Sequence, residues 1–275
     1  MATQTGTKKA ALVWGRTLAL VYGAFCYLTF LIAALWAIGF FGNMFVPKTI
    51  DTGPGASFVN AALIDALLLG LFALQHSVMA RSAFKKWWTR IIPSSIERST
   101  YVLFASLLLL LLYWQWLPIP GTIWNVEQTA GGVFLQALYW IGWLIVFLST
   151  FLISHFDLFG LRQVYLNWRG VGYTHVGMKT PVLYKLVRHP LMLGFLIVFW
   201  ATPHMTVGHL FFSLATTGYV LVGISLEERD LLAAHGEAYR RYQQRVSMLL
   251  PVPKKQRISA DRNSKPGSCP PGVEE

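Results

Sequence analysis

The chain has 275 residues, a formal net charge of +11, 55% hydrophobic residues and only 13% charged ones. Soluble globular chains carry roughly 25% charged residues, so this composition excludes a soluble domain, a disordered chain and a coiled coil. Two cysteines, Cys26 in an apolar run and Cys269 in the tail, exclude a disulfide scaffold, and seven scattered histidines without a cysteine pair predict no metal site.

In chain order, long runs without Asp, Glu, Lys or Arg mark the membrane spans, each of which needs about 20 apolar residues. The first extends from Thr17 to Pro47. Ahead of it, Met1–Ala10 carries no cleavable signal, because the first apolar run is too long and lacks a small-residue cleavage site. The second run, Thr52 to Ala80, contains Asp65 mid-span and the polar trio Gln75, His76 and Ser77 near one end. An ionisable group inside a span is expensive and marks either function or an interhelical hydrogen bond. The third run is Ser99 to Val126 and the fourth Gln128 to Ser154. A polar stretch follows, from His155 through Asp157 and Arg162 to Gln163. On a continuing helix His155 and Arg162 would share a face, with Asp157 offset. The last charge-free run, Pro190 to Leu226, has 37 residues. A single helix of that length would be roughly 55 Å long, far more than a bilayer core requires. Pro203 and Gly208 interrupt it, which predicts a hairpin of Pro190–Thr202 and Val207–Glu228. The first arm is short for a full span, so a tilted or re-entrant helix fits as well.

The basic residues orient these spans. With the hairpin, 22 of the 23 Lys and Arg fall on one side and only Lys48 on the other. Both termini and the loop from His155 to His189 are therefore expected in the cytoplasm. Topology and anionic headgroups account for the net charge, and nucleic acid is not needed to explain it. The expected architecture is an all-α integral membrane protein with about five spans, the last forming a helical hairpin. The chain divides into helices one to four (1–156), a loop, hairpin and amphipathic helix (157–251), and a disordered tail (252–275). Antiparallel hairpin arms bring Arg188-His189-Pro190 back to Glu227-Glu228 at the cytoplasmic surface. That constellation reads as a polar site able to hold a cation or a ribose diol, or as a salt bridge that staples the hairpin.

Four motifs occur in order: Arg188-His189-Pro190-x-x-x-Gly194, Glu227-Glu228-x-x-Leu231, Gly236-x-x-Tyr239-x-x-Tyr242-x-x-x-Val246 and Pro251. They resemble the signature of the isoprenylcysteine carboxyl methyltransferase superfamily of membrane enzymes. Upstream, Leu74-Gln75-His76-Ser77, Lys86-Trp87-Trp88-Thr89-Arg90, Phe156 to Gln163 and Phe199 to Thr206 are similar to the bacterial methanethiol S-methyltransferases, with the NnrU-type membrane proteins as confusable neighbours. The resemblance implies methylation of methanethiol to dimethyl sulfide, S-adenosyl-L-methionine as cofactor, and a multi-pass location in the bacterial inner membrane. Its partners would be a small thiol and membrane lipids. By motif, cofactor contacts fall on His175, Tyr184, Arg188, His189, Pro190, Leu191, Met192, Glu227 and Glu228. The sequence departs from the carboxyl methyltransferases at His175-Val176-Gly177-Met178 and at Met192, where a hydroxyl is lost. Ile224 stands about where those enzymes carry a substrate-binding Arg, as expected for a substrate that is not a carboxylate.

Transfer of a methyl group from a sulfonium to a thiolate cancels charge, so a dry site of low dielectric favours it. An alkyl thiol is a weaker acid than a Cys side chain of pKa ~8.5, so a base or a cation is required. The candidates are His155 or Asp157 as base, Arg162 as cation, and His76 as an alternative base reaching from the second span. Competing readings are a related transferase acting on another thiol, a carboxylate or a lipid amine, an NADPH-dependent reductase, and a non-enzymatic NnrU-like protein or channel.

Overall fold

The computed structural model describes residues 2–174 and 182–252, with side chains from residue 12 onward. His175 and the tail from Pro253 onward lie outside the described residues. The chain forms α1 (Ala2–Gly42), α2 (Phe58–Ala80), α3 (Ser82–Trp88), α4 (Ser94–Gln115), β1 (Thr122–Asn125) and α5 (Ala130–Ile153). Then follow α6 (His155–Leu158), α7 (Leu161–Arg169), α8 (Val182–Leu186), α9 (Pro190–Trp200), β2 (His204–Thr206), α10 (Val207–His235) and α11 (Glu237–Arg245). Among the described residues, five helices are long and apolar enough to cross a membrane: α1 from Leu12, α2, α4, α5 and α10. Polar side chains start several of them. Ser57 accepts from the Asn60 N–H, Thr129 from Gly132 and Thr206 from His209, each supplying one of the acceptors a first turn lacks.

The interrupted last run is two helices, as Pro203 and Gly208 predict, but their arms are unequal. α9 has 11 residues, about 16 Å of helix, too short for a span. Its main neighbour is α5, and the reason is steric. A Cβ on Gly194 would lie 2.9 Å from the Gly142 carbonyl oxygen and 2.9 Å from the Val146 nitrogen. A Cβ on Gly142 would in turn meet Gly194 O at 3.0 Å. The two backbones touch where neither residue has a side chain, which is how helices pack when lipid tails remove the hydrophobic drive for association.

The bundle has two chemically distinct ends. At one, Arg81 pairs with Asp230 at 3.1 Å, Arg98 donates to the Leu158 carbonyl at 2.8 Å and Arg188 pairs with Glu228 at 2.7 Å. At the other, loops interlock around a cluster that includes Phe40, Ile50, Tyr113, Trp116, Phe199 and Phe212. There β1 and β2 form an antiparallel two-stranded sheet, with Asn125 opposite His204 and Thr122 opposite Thr206. Periodicity could not have found strands of four and three residues. Asp51 is also at this end, and its carboxylate accepts from Thr206 and from Asn43 Nδ2 at 2.6 Å. Buried His209 lies 3.4 Å away through Nδ1, with Nε2 3.1 Å from the Phe199 carbonyl. Burial pushes the Asp51 pKa up, but these partners outweigh it and hold the carboxyl below its ordinary value.

Asp65 is fully buried, and its Oδ1 accepts from the Leu117 N–H at 2.9 Å, tying α2 to the segment that leaves α4. It belongs to the end opposite His76.

Candidate active site

The two ends of the hairpin meet, as antiparallel arms require. The Arg188 Nε donates to Glu228 Oε1 at 2.7 Å, and its Nη1 donates to the carbonyls of Val246 at 2.6 Å and Gln243 at 3.2 Å. His189 Nε2 is 3.0 Å from the same Glu228 oxygen, and Gln243 Nε2 donates to Oε2 at 2.8 Å. One carboxylate therefore receives three partners, and the buried guanidinium is matched by a charge and two dipoles. Glu227 differs. Its side chain is 52% exposed, with His189 Nδ1 at 3.6 Å.

Local sequence explains this geometry. Pro190 opens α9, where a missing N–H costs nothing, so His189 ends the preceding extended segment. That segment pairs in parallel with the chain after α11: the Arg188 N–H donates to Ser247 O at 2.8 Å and the His189 N–H to Met248 O at 3.2 Å. The tyrosines of the 236–246 motif dock α11 beneath it. Tyr239 is 1% exposed and the Tyr242 hydroxyl donates to the Tyr184 carbonyl at 2.6 Å. Burial raises the pKa of Tyr184, Tyr239 and Tyr242, so all three phenols stay protonated. Leu191 and Met192 occupy the first turn of α9 beside His189.

The segment from 154 to 163 does not form the continuous helix expected for it. Ser154 ends α5, and Gly160, at φ +87°, separates α6 from α7. A Cβ there would strike the Ser99 backbone nitrogen at 2.7 Å, so both conformation and space require glycine. His155 and Arg162 consequently do not share a face. His155 turns into the bundle, stacked on Phe151 at 4.2 Å between ring centroids. Its Nδ1 lies 2.9 Å from the Thr150 hydroxyl, whose proton goes to the Phe147 carbonyl. Nδ1 must therefore carry the proton, and Nε2 accepts from the Tyr27 hydroxyl at 2.7 Å. Burial lowers the His155 pKa and keeps this imidazole neutral.

Arg162 turns back to Asp157 at 3.1 Å and also donates to the Thr174 carbonyl and hydroxyl at 2.7 and 2.9 Å. Gln163 donates to Asp157 Oδ1 at 3.3 Å and the Tyr173 hydroxyl to Oδ2 at 3.2 Å. Asp157, Gln163 and Tyr173 line a cavity of about 970 Å³, closed on other sides by Lys85, Arg98 and Leu231. Leu231 is one turn from Glu227 on α10, so this cavity and the Glu pair share one end of the bundle.

His76 stands apart from both groups. The Tyr101 hydroxyl lies 3.0 Å from its ring nitrogens, and Phe72 stacks on it with 5.2 Å between centroids. The Arg98 guanidinium is 5.1 Å from the centre of the Tyr101 ring. The structure thus gathers Arg188, His189, Glu227 and Glu228, pairs Asp157 with Arg162, and leaves His155 and His76 on separate aromatic partners.

Sequence reasoning missed Gln243, Tyr101, Tyr173 and Arg98. Gln243 had a signal, since it follows Tyr239 by four residues and must share its helix face. Tyr101 had none, because a tyrosine in a span packs in most cases.

No protein-family model matches the chain, and no solved structure matches it. Curated relatives do. The chain is 59% identical to a methanethiol S-methyltransferase of Mycobacterium tuberculosis over 86% of its own length and 98% of the relative's. It is 57% identical to one of Crocosphaera subtropica, covering 86% and 92% of the two chains. To methanethiol S-methyltransferase 2 of Bradyrhizobium diazoefficiens it is 51% identical, over 92% and 97%. On that likeness this multi-pass membrane protein belongs to the methanethiol S-methyltransferase family.

Proposed function

We propose that the protein methylates methanethiol to dimethyl sulfide with S-adenosylmethionine as methyl donor, at the cytoplasmic face of the bacterial inner membrane. The observation that carries the reaction is 59% identity across nearly the whole of a relative named for that activity. The 22-to-1 division of basic residues supports the cytoplasmic orientation of the site end.

The donor set fits S-adenosylmethionine. Glu227, half exposed beside the buried cluster, offers carboxylate oxygens to a ribose diol or an ammonium group. The adjoining cavity of about 970 Å³ is at the upper end for a molecule of this size. His189, Pro190, Leu191 and Met192 at the start of α9 and Tyr184 on α8 would complete the contacts. Arg188 and Glu228 neutralise each other, and their role is to hold that turn in place. S-adenosylmethionine supplies a methyl group made electrophilic by a positively charged sulfur.

The rest falls to the chain. The thiol must lose its proton, and by elimination the acceptor is His76, which meets the cavity wall through Tyr101 and Arg98. Both nitrogens of His155 are engaged, and Asp157 is occupied by an arginine, an amide and a phenol. Among the described residues, His76 has one hydroxyl partner, Tyr101, which can donate or accept and so can adjust as the imidazole gains a proton. Arg98, against the Tyr101 ring and on the cavity wall, favours the thiolate electrostatically. Asp157 and Arg162 position the segment through Tyr173 and Thr174. Ile224, fully buried one turn before Glu227, leaves no cation to bind a carboxylate substrate.

The test is purified protein with labelled donor and methanethiol, with headspace analysis for dimethyl sulfide. Product that saturates with thiol, disappears in Glu228→Ala and falls in kcat for His76→Asn is expected. Donor binding without any dimethyl sulfide would refute the substrate, and no donor binding would refute the methyltransferase chemistry.

A further inference from the structure

A second cavity, of about 290 Å³, lies between α2 and α10 at the level of the spans. Its walls are small and apolar: Gly70 and Ala73 on α2 and Ala215 on α10, with Phe72 and Tyr219 closing it toward the site end. Gly70 and Ala215 are exposed on the lateral surface, so the space opens sideways through the bundle wall. A Cβ on Gly70 would meet nothing within 4 Å. The one hydroxyl-bearing side chain on its α10 wall other than Tyr219, Thr216, donates back to the Phe212 carbonyl at 2.7 Å.

The inner boundary is what gives this space a function. Phe72 presents one side to the cavity and stacks on His76 at 5.2 Å. The Tyr219 hydroxyl is 3.2 Å from the Ser77 hydroxyl, bridging α10 and α2 one residue beyond His76. An apolar opening at membrane level therefore ends one aromatic ring, that of Phe72, from the group assigned to take the thiol's proton. We propose that this cavity is the binding and access site for the small apolar sulfur compounds of the reaction, reached from the hydrocarbon layer between α2 and α10. The inference rests on the thiol-methylation reading. An uncharged alkyl thiol partitions into hydrocarbon, while a charged donor does not, so separate approaches for the two substrates follow from their chemistry. The walls are mostly apolar, and the paired hydroxyls of Tyr219 and Ser77 stand at the inner end.

The test reads the cavity directly. In a Cys26→Ala, Cys269→Ser background, Gly70→Cys in lipid nanodiscs is treated with uncharged methyl methanethiosulfonate or with its charged sulfonatoethyl counterpart. Labelling by the uncharged reagent alone, slowed severalfold by dimethyl sulfide, is expected. Labelling by both reagents alike, or no protection by dimethyl sulfide, overturns the proposal. Labelling that occurs only in detergent and is never protected assigns the space to a lipid chain, and overturns it too. In parallel, Gly70→Leu should raise the methanethiol KM severalfold with donor affinity unchanged, and an unchanged thiol KM counts against the site. Failure of the underlying reading looks different: the unmodified protein then makes no dimethyl sulfide whatever the labelling shows.

Discussion

Replacing Gly194 by alanine tests whether the α5–α9 contact sets the position of the site. The new Cβ would lie 2.8 Å from Val146 Cγ2 and 2.9 Å from two backbone atoms, Gly142 O and Val146 N. The side-chain atom can rotate away, but the backbone atoms cannot. Restoring ordinary contact at about 3.5 Å moves α9 some 0.6 Å from α5. Overpacking of this kind costs roughly 1–3 kcal/mol, and alanine returns about 1 kcal/mol of helix propensity. A net loss of up to about 2 kcal/mol corresponds to a fall in Tm of at most roughly 4–8 °C for a chain of this size. The matching control is Gly218→Ala on α10, where a Cβ meets nothing within 4 Å. Thermal unfolding in one detergent should show Gly194→Ala below the parent and Gly218→Ala at or slightly above it. Because α9 starts at Pro190, the same displacement should weaken donor binding. A Gly194→Ala protein that melts with the control and binds donor normally would refute the idea that this contact governs the site.

Glu228→Gln should weaken donor binding by at least tenfold in calorimetry, since it leaves Arg188 without its charged partner, whereas Glu227→Gln should weaken binding without lowering Tm. His155→Phe should keep much of its kcat because His155 packs among aromatic rings, and a loss as deep as that of His76→Asn would reverse the assignment of the base. The lowered pKa of Asp51 means that the folded state binds a proton less readily than the unfolded one. Its contribution is therefore complete above the ordinary carboxyl value near 3.9 and lost as pH falls through the lower folded value. Melting curves should show an acid-side decline below about pH 4 that is shallower in Asp51→Asn.

The spans could be read from charge alone because a bilayer punishes ions uniformly, and the break at Pro203–Gly208 because proline and glycine act locally. The meeting of Arg188 and Glu228 followed from antiparallel arms. What could not be read depended on distant partners. Nothing near Gly194 indicates that Gly142 faces it, so α9 looked like the partner of α10. Gly160 hid a turn inside a polar stretch that otherwise suited a helix, which misplaced His155 relative to Arg162. Tyr101 and His76 are 25 residues apart in different spans, and only their packing shows that they form a pair.

The pairing of residues 187–189 with 246–248 bears on biosynthesis. Two of the acceptors on Arg188, the carbonyls of Gln243 and Val246, and the amide that holds Glu228 Oε2 all come from chain made after the last span. A nascent protein would thus have every membrane helix inserted while its buried arginine still lacked most of its partners. A chain cut before residue 243 should therefore insert as a bundle whose Arg188 lacks the Gln243 and Val246 carbonyls.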